Sequence, residues 1–272
     1  MMPLEKAFCS ISEAMRSHHP LVHHITNYVT AGFCADAALA IGASPMMADE
    51  EGEMPAISQL SDALVLNLGT MNERTYGAMK KALVGTAACG RPILLDPVGV
   101  MSSSFRFDAA RTLLQTGAIT VIKGNSAEGK ALLSWQGEGG KGVDSLSDDH
   151  PERIAKALAC KFHCTAAVTG ATDAVSDGTV TYLAHNGTAY LGRITGAGCM
   201  TGTLMAAALG VYPESPLYAA LWGLTVMNTG AELAEKDVPG PGTFRAHLMD
   251  AISQHEGHEP LITASIWSRT ER

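Results

Sequence analysis

The chain has 272 residues, 19 of them Lys or Arg against 27 Asp or Glu, for a formal charge of −8. With 46% hydrophobic and 17% charged residues it is not intrinsically disordered, and its length suits one large α/β domain with a sizeable core. An acidic balance without any basic run excludes nucleic acid and anionic membrane as the main partner, while leaving room for a small anion in a local cleft.

In chain order, the N-terminal stretch carries Glu5, Lys6, Glu13 and Arg16 where a signal peptide needs an apolar run. Short apolar strands are predicted at 21–23, 63–67, 92–96, 119–122 and 165–169, with amphipathic helices around 27–41, 72–89, 106–116 and 149–163 between them. This alternation argues for a largely parallel sheet covered by helices on both faces. The glycine-rich stretch GEGGKG at 137–142 reads as a surface turn. After residue 170 the texture changes. Segments 175–177, 180–184 and 189–194 are short and punctuated by Asp-Gly and Asn-Gly, the turn signals of hairpins, so antiparallel edge strands are expected there.

Three helices are predicted to close the chain, at 197–210, 215–236 and 243–254. No repeat or linker divides it, and residues 1–272 are read as a single domain. The run 194–213 carries no charge over a length that suggests a membrane span. Its four glycines and three threonines, without a sustained Leu/Ile/Val stretch, make it a turn followed by a buried helix. The six cysteines form no CxxC pair and no Cys/His metal spacing, which predicts reduced thiols in a cytoplasmic protein.

In open α/β sheets, ligands collect beyond the carboxyl ends of the strands. The predicted ends carry His23, His24, Thr26 and Asn27, then Asn67 to Thr70, Asp96 to Gly99, Lys123 to Glu128, and Thr169-Gly170. A further segment of this kind ends at Met47. The most informative stretch is Thr195-Gly196-Ala197-Gly198-Cys199, expected to follow an edge strand and to open a long helix of small residues. Glycines there let backbone N–H groups converge on an anion, and the helix N-terminus adds partial positive charge. No Walker A pattern is present, and the spacing Gly196-x-Gly198-x-x-x-Gly202 lies too late in the chain for a dinucleotide fingerprint.

Eight segments then combine: HHITN at 23–27, GASPMM at 42–47, NLGT at 67–70, LDPVG at 95–99, KGNSAE at 123–128, VTG at 168–170, TGAGC at 195–199 and GPGTF at 240–244. In this order and spacing the chain resembles the hydroxyethylthiazole kinase family of thiamine salvage, part of the ribokinase-like superfamily. The resemblance implies a ribokinase-like three-layer α/β/α fold with a mostly parallel central sheet and antiparallel edge strands. It also implies a kinase that moves the γ-phosphoryl group of ATP, with Mg2+, to the primary alcohol of 4-methyl-5-(2-hydroxyethyl)thiazole.

Such a transfer needs an anion cradle, a magnesium site and a group near the acceptor hydroxyl. Carried onto matching positions, the resemblance makes Ala197, Gly198 and Cys199 the catalytic turn. Asn125 and Glu128 resemble the superfamily's N-x-x-E motif, and Asp96 shares with Glu128 the hard-oxygen ligation that magnesium prefers. Lys123 stands where many members carry an arginine on the ATP phosphates, keeping the charge without the planar fork. Thr169 matches the second ATP contact. Met47, Gly196 and Asn27 match the thiazole side, where a methionine wall suits a sulfur heterocycle.

Cys199 occupies the position at which most ribokinase-like kinases place an aspartate base, a trait of the thiazole kinases. After DPVG the chain departs from the family: Val100, Met101 and three serines replace a small glycine-rich turn, which bears on substrate breadth. The resemblance further implies a homotrimer with active sites at subunit interfaces, with Tyr28 and Phe33 as candidate contacts. Two alternatives share the fold, a pyrimidine- or pyridoxal-type vitamin kinase and an ATP-dependent dehydratase of hydrated nicotinamide nucleotides. The dehydratases usually carry an aspartate where Cys199 stands.

Overall fold

The computed structural model describes residues 3–135, 150–254 and 267–270, so the glycine-rich stretch at 137–142 lies outside the described residues. The strands are β1 (Leu21–Ile25), β2 (Ser44–Met47), β3 (Ala63–Asn67), β4 (Ile93–Asp96), β5 (Val121–Asn125), β6 (Thr165–Thr169), β7 (Asp173–Ser176), β8 (Thr181–Ala184) and β9 (Ser268–Thr270). They form one sheet in the order β2-β1-β3-β4-β5-β6-β7-β8-β9. Pairing is parallel from β2 through β6 and antiparallel from β6 to β9. The mostly parallel sheet with antiparallel edge strands is therefore present.

The ten α-helices among the described residues are α1 (Leu4–His18), α2 (Ala31–Ala40), α3 (Met54–Leu60), α4 (Glu73–Ala88), α5 (Ser104–Gln115), α6 (Ser126–Ser134), α7 (Pro151–Phe162), α8 (Ala197–Val211), α9 (Pro216–Ala234) and α10 (Pro241–Ser253). Two cores flank the sheet. One gathers Phe8 of α1, Ala37 of α2, Leu204 of α8, Trp222 of α9 and Phe244 of α10; the other gathers Ile57, Met79, Leu113, Leu132 and Ile154 of α3 to α7. Strand alternation divides the side chains between them: Ala63 and Val65 of β3 join the first core, Leu64 and Leu66 the second.

The uncharged run at 194–213 becomes α8, packed on the sheet beneath α9. Its small residues permit that depth. A Cβ on Gly223 of α9 would stand 2.6 Å from the Met205 backbone nitrogen, so only glycine lets the two helices approach so closely. Among the described residues no helix is long and apolar enough to cross a membrane.

The differences from expectation have local causes. The predicted strand at 189–194 is a 3-10 helix, Ala189–Arg193, opened by Thr188 accepting from Tyr190 N at 3.2 Å and held by stacking of Tyr190 on Phe244. The TGAGC turn therefore follows a helical turn, and β9 occupies the edge beside β8. GASPMM, read as a strand end, contains the edge strand β2 itself. The predicted strand at 119–122 is shifted to Val121–Asn125, which puts Lys123 inside the sheet. Helices α1, α3 and α6 were not anticipated. The first lies in a stretch read only for its charges, the second in one that carried no prediction, and α6 follows directly on β5 through an Asn125 N-cap.

Candidate active site

The chain leaves β1 by α2, on one face of the sheet, to reach β2 at the edge. It then returns by α3, on the other face, to β3, the neighbour of β1 on its opposite side. Connections that diverge in this way open a crevice beyond the carboxyl ends of the two strands. Asn27 follows β1 and Asn67 ends β3.

Alternation along the strands decides which side chains meet there. Val22, Val65, Leu94 and Val121 feed the core beneath α8. The residues two positions further on, His24, Asn67, Asp96 and Lys123, lie on the same side at the carboxyl ends. All four are buried. Register makes Asn67 and Asp96 partners across β3 and β4, and Asn125 and Thr169 partners across β5 and β6.

The start of α8 stands over these ends. Gly196, its N-cap, has φ +88°, and a Cβ there would come within 2.9 Å of Thr30 Cγ2, so both conformation and space demand glycine. At Gly198 a Cβ would meet Lys123 Nζ at 2.9 Å, which sets the ammonium directly against the turn. The N–H groups of the first turn have no partners within the helix and carry its partial positive charge. The start of α8 at Ala197, Gly198 and Cys199 is thus set against the Lys123 ammonium.

The carboxylates answer that charge. Lys123 Nζ lies 3.7 Å from Asp96 Oδ2. Burial pushes the Asp96 carboxyl up to about 6; Lys123 opposes this, and the charge of Glu128 adds to it. Burial by itself would lower the Lys123 ammonium, but Asp96, with Cys199, Glu128 and Asp173, outweighs it and the ammonium is held above its ordinary range. Asp96 Oδ1 is buried without a hydrogen-bond partner.

Glu128 closes a capping box with Asn125. Asn125 Oδ1 accepts from Glu128 N at 2.9 Å, and Glu128 Oε2 accepts from Asn125 N at 2.9 Å. Glu128 Oε1 accepts from Gly99 N at 3.0 Å, fastening the DPVG loop to the start of α6. The glutamate is therefore a helix cap, and its charge acts on Asp96.

Cys199 receives two amide donors, from Asn67 Nδ2 at 3.3 Å and Asn27 Nδ2 at 3.4 Å. On the far side of the turn lies a cavity of about 580 Å³ lined by Thr169, Gly170, Asp173, Asn186, Gly198 and Asn228, among others. Asn228 Nδ2 donates to Asp173 Oδ2 at 2.6 Å, and Gly170 N donates to Asp173 Oδ1 at 3.0 Å. Burial raises the Asp173 carboxyl against the effect of these donors. Thr169 Oγ1 donates to Gly124 O at 3.4 Å.

The structure thus brings together Asn27, Asp96, Lys123, Asn125, Glu128, Thr169, Gly196, Ala197, Gly198 and Cys199. Met47 stands apart, 39% exposed at the end of the edge strand, opposite His24 in register. Phe33 lies under the Arg245 guanidinium at 4.1 Å and near Gly196, a contact within the chain, whereas Tyr28 is 81% exposed. Three polar residues of the site had no expected role: Asn67, Asp173 and Asn228. The signal for Asn67 was its place in NLGT, two positions after Val65 on the α8 side.

Fold and site together define a ribokinase-like α/β protein. A ribokinase-like superfamily protein from Enterococcus faecalis V583 matches with a TM-score of 0.62 over 90% of this chain and 89% of that one, at 13% identity, a likeness of fold alone. The chain belongs to the hydroxyethylthiazole kinase family, whose model matches residues 12–257. The hydroxyethylthiazole kinase of Alkaliphilus oremlandii is 39% identical to it over 94% of this chain and 95% of its own. The solved structure of the hydroxyethylthiazole kinase protein from Pyrococcus horikoshii OT3 has a TM-score of 0.88 at 35% identity, covering 98% of this chain and all of that one.

Proposed function

We propose that this chain transfers the γ-phosphoryl group of ATP to the primary alcohol of 4-methyl-5-(2-hydroxyethyl)thiazole, a step of thiamine salvage. The observation that carries the reading is the Lys123 ammonium lying against Gly198 at the start of α8, between the 580 Å³ cavity and the Cys199 sulfur. An anion held there has room for a nucleotide on one side and an acceptor on the other. Family membership supplies the acceptor class.

In this reading Lys123 and the first-turn N–H groups of Ala197, Gly198 and Cys199 hold the phosphates, and Thr169 and Asn125 flank them at the ends of β6 and β5. Asp96 and Glu128 are the residues that would hold Mg2+, which neutralises phosphate charge when bound. The bare Asp96 Oδ1 supports that assignment, since a buried, unpartnered oxygen suits a cation.

Cys199 faces the acceptor hydroxyl. Phosphoryl transfer relies on positioning and charge neutralisation more than on a strong base, so a sulfur held by two carboxamides suffices at modest turnover. Asn27, Gly196 and Met47 line the acceptor side. Met47 is partly exposed at the end of the edge strand, and Tyr28 is exposed to solvent. Both features favour a homotrimer in which a neighbouring subunit completes the thiazole pocket. The residues read as one kinase domain in a cytoplasmic protein, in keeping with a sequence that has no CxxC pair.

The test is ATP consumption with Mg2+ and the thiazole alcohol, set against hydroxymethylpyrimidine, pyridoxal, a hydrated nicotinamide nucleotide and no acceptor. Turnover with the thiazole alcohol alone is expected. Preference for pyridoxal or pyrimidine would move the chain to another vitamin kinase, and turnover of the hydrated nucleotide would make it a lyase.

A further inference from the structure

The carboxamide of Asn67 has its orientation decided by the backbone. Gly69 N donates to Asn67 Oδ1 at 2.9 Å, and a backbone N–H has no other role, so the oxygen must face it. Asn27 Nδ2 donates to the same oxygen at 3.1 Å. The Asn27 amide is itself fixed, because its Oδ1 accepts from Thr30 N at 3.0 Å. Both N–H bonds of Asn67 Nδ2 are then aimed inward, one at Asp96 Oδ2 at 2.9 Å and one at Cys199 Sγ at 3.3 Å.

Asn67 is buried, at 1% exposure, and every donor and acceptor of its side chain is in use. A Cβ on Gly69 would stand 3.0 Å from Asn67 Oδ1, so even the loop that carries the fixing N–H is shaped to this amide. With Asn67 and Lys123 both on Asp96 Oδ2, the carboxylate is turned so that Oδ1 is the oxygen left without a partner. One side chain therefore sets two others, on different elements, whose relation no backbone pairing fixes.

We propose that Asn67 is a positioning residue for phosphoryl transfer, holding the Cys199 sulfur and the Asp96 carboxylate in one fixed relation. This rests on the kinase reading above. Asn67 does not line the nucleotide-side cavity, so its influence falls on the rate of transfer rather than on nucleotide affinity.

Rates are measured on the full-length protein with ATP, Mg2+ and the thiazole alcohol for the wild type, Asn67→Ala, Cys199→Ala and the double variant. Asn67→Ala is expected to lower kcat about 30- to 100-fold, as a misplacement of about 1 Å does. The KM for ATP should stay within about threefold. In the Cys199→Ala background the same change should lower kcat less than it does in the wild type, the remainder being the part exerted through Asp96, because residues acting through one another are not additive. Equal losses in both backgrounds, or a rise in KM that accounts for the loss, overturn the proposal.

Crystal structures give a readout that does not depend on activity. In Asn67→Ala the Cys199 side chain is expected to leave its rotamer, and a sulfur that stays within about 0.5 Å of its wild-type place defeats the positioning role. Should Asn67→Ala fail to fold, Asn67→Ser takes its place, since a single short hydroxyl cannot bridge both partners. A wild type without turnover on the thiazole alcohol would sink the kinase reading instead, and the crystallographic comparison would still judge Asn67.

Discussion

The two sides of the α8 N-terminus are built differently. On the strand side, Asn27, Asn67, Asp96, Lys123 and Cys199 form a buried cluster carried largely by consecutive parallel strands, in which short contacts leave one oxygen unpartnered. On the other side lies a cavity shaped by turns and the antiparallel part of the sheet, with Asp173 and Asn228 paired in its wall. Strand ends aligned by register hold charges in set relations, while turns provide volume. Chemistry sensitive to small displacements belongs on the first side, and binding of a larger group belongs on the second.

Removing the cation from the strand side should break this contrast most severely. Lys123→Met leaves an ionised Asp96 buried and unpaired, a defect of about 3 to 5 kcal/mol in stability near pH 8. The same change removes the charge beneath Gly198 and should lower kcat about a hundred- to a thousandfold. The stability deficit should shrink at pH 5, because a carboxyl already raised to about 6 by burial, and raised further without Lys123, is then protonated. Urea unfolding of both proteins at the two pH values measures this. An equal deficit at pH 5 and pH 8 would show that Asp96 is not the group left exposed to the loss.

The same side holds two titrations of opposite sign. His24, buried against Thr203 of α8, is lowered from 6.5 to about 4 by burial. Its folded form stays neutral, so its contribution is present above pH 6.5 and is lost as pH falls through 4. Asp96, raised from 3.8 to about 6, makes the contrary contribution, which is present at low pH and lost as pH rises through 6. In the wild type the two thus act in opposite directions between pH 4 and 6. Relative to the wild type, Asp96→Asn should therefore gain stability with rising pH over that window, and His24→Gln should lose it. Parallel stability curves for all three proteins would mean that neither group is displaced from its ordinary range.

What was legible in the sequence follows the same division. The strand side was readable because its residues obey period-2 alternation and the carboxyl-end rule: Asp96, Lys123 and the TGAGC turn were all marked. Asn67 was marked only as the start of the strand end NLGT, without a role of its own. Placing the 119–122 strand two residues early kept Lys123 out of the sheet, and with it the parity that aligns Val65-x-Asn67, Leu94-x-Asp96 and Val121-x-Lys123. The cavity side was less readable. Asp173 and Asn228 are 55 residues apart and meet only because α9 packs beside β6 and β7. The stretch 189–194 looked like a strand, since a short segment after an Asn-Gly turn signal does not reveal that Tyr190 will stack on Phe244. Glu128 was read through its motif, yet its capping box with Asn125 is the commoner use of a glutamate three residues after an asparagine.

The mildest perturbation falls on the cavity side. Asn228→Ala removes the donor at 2.6 Å from Asp173 Oδ2 and leaves that carboxylate, 5% exposed, with Gly170 N as its remaining hydrogen-bond donor. Leaving a buried acceptor unsatisfied costs about 1 to 3 kcal/mol of stability. The turn from Gly170 to Asp173 forms the cavity wall, and Gly187 packs on Asn228 from the opposite wall, where a Cβ would touch it at 3.4 Å. Loosening both walls should raise the KM for ATP about tenfold while kcat at saturating ATP stays within about threefold, the signature of lost uniform binding. Asn67→Ala should show the reverse pattern. If Asn228→Ala lowers kcat with KM unchanged, the cavity takes part in the transfer step itself, and the separation between a rigid strand side and a merely accommodating turn side fails.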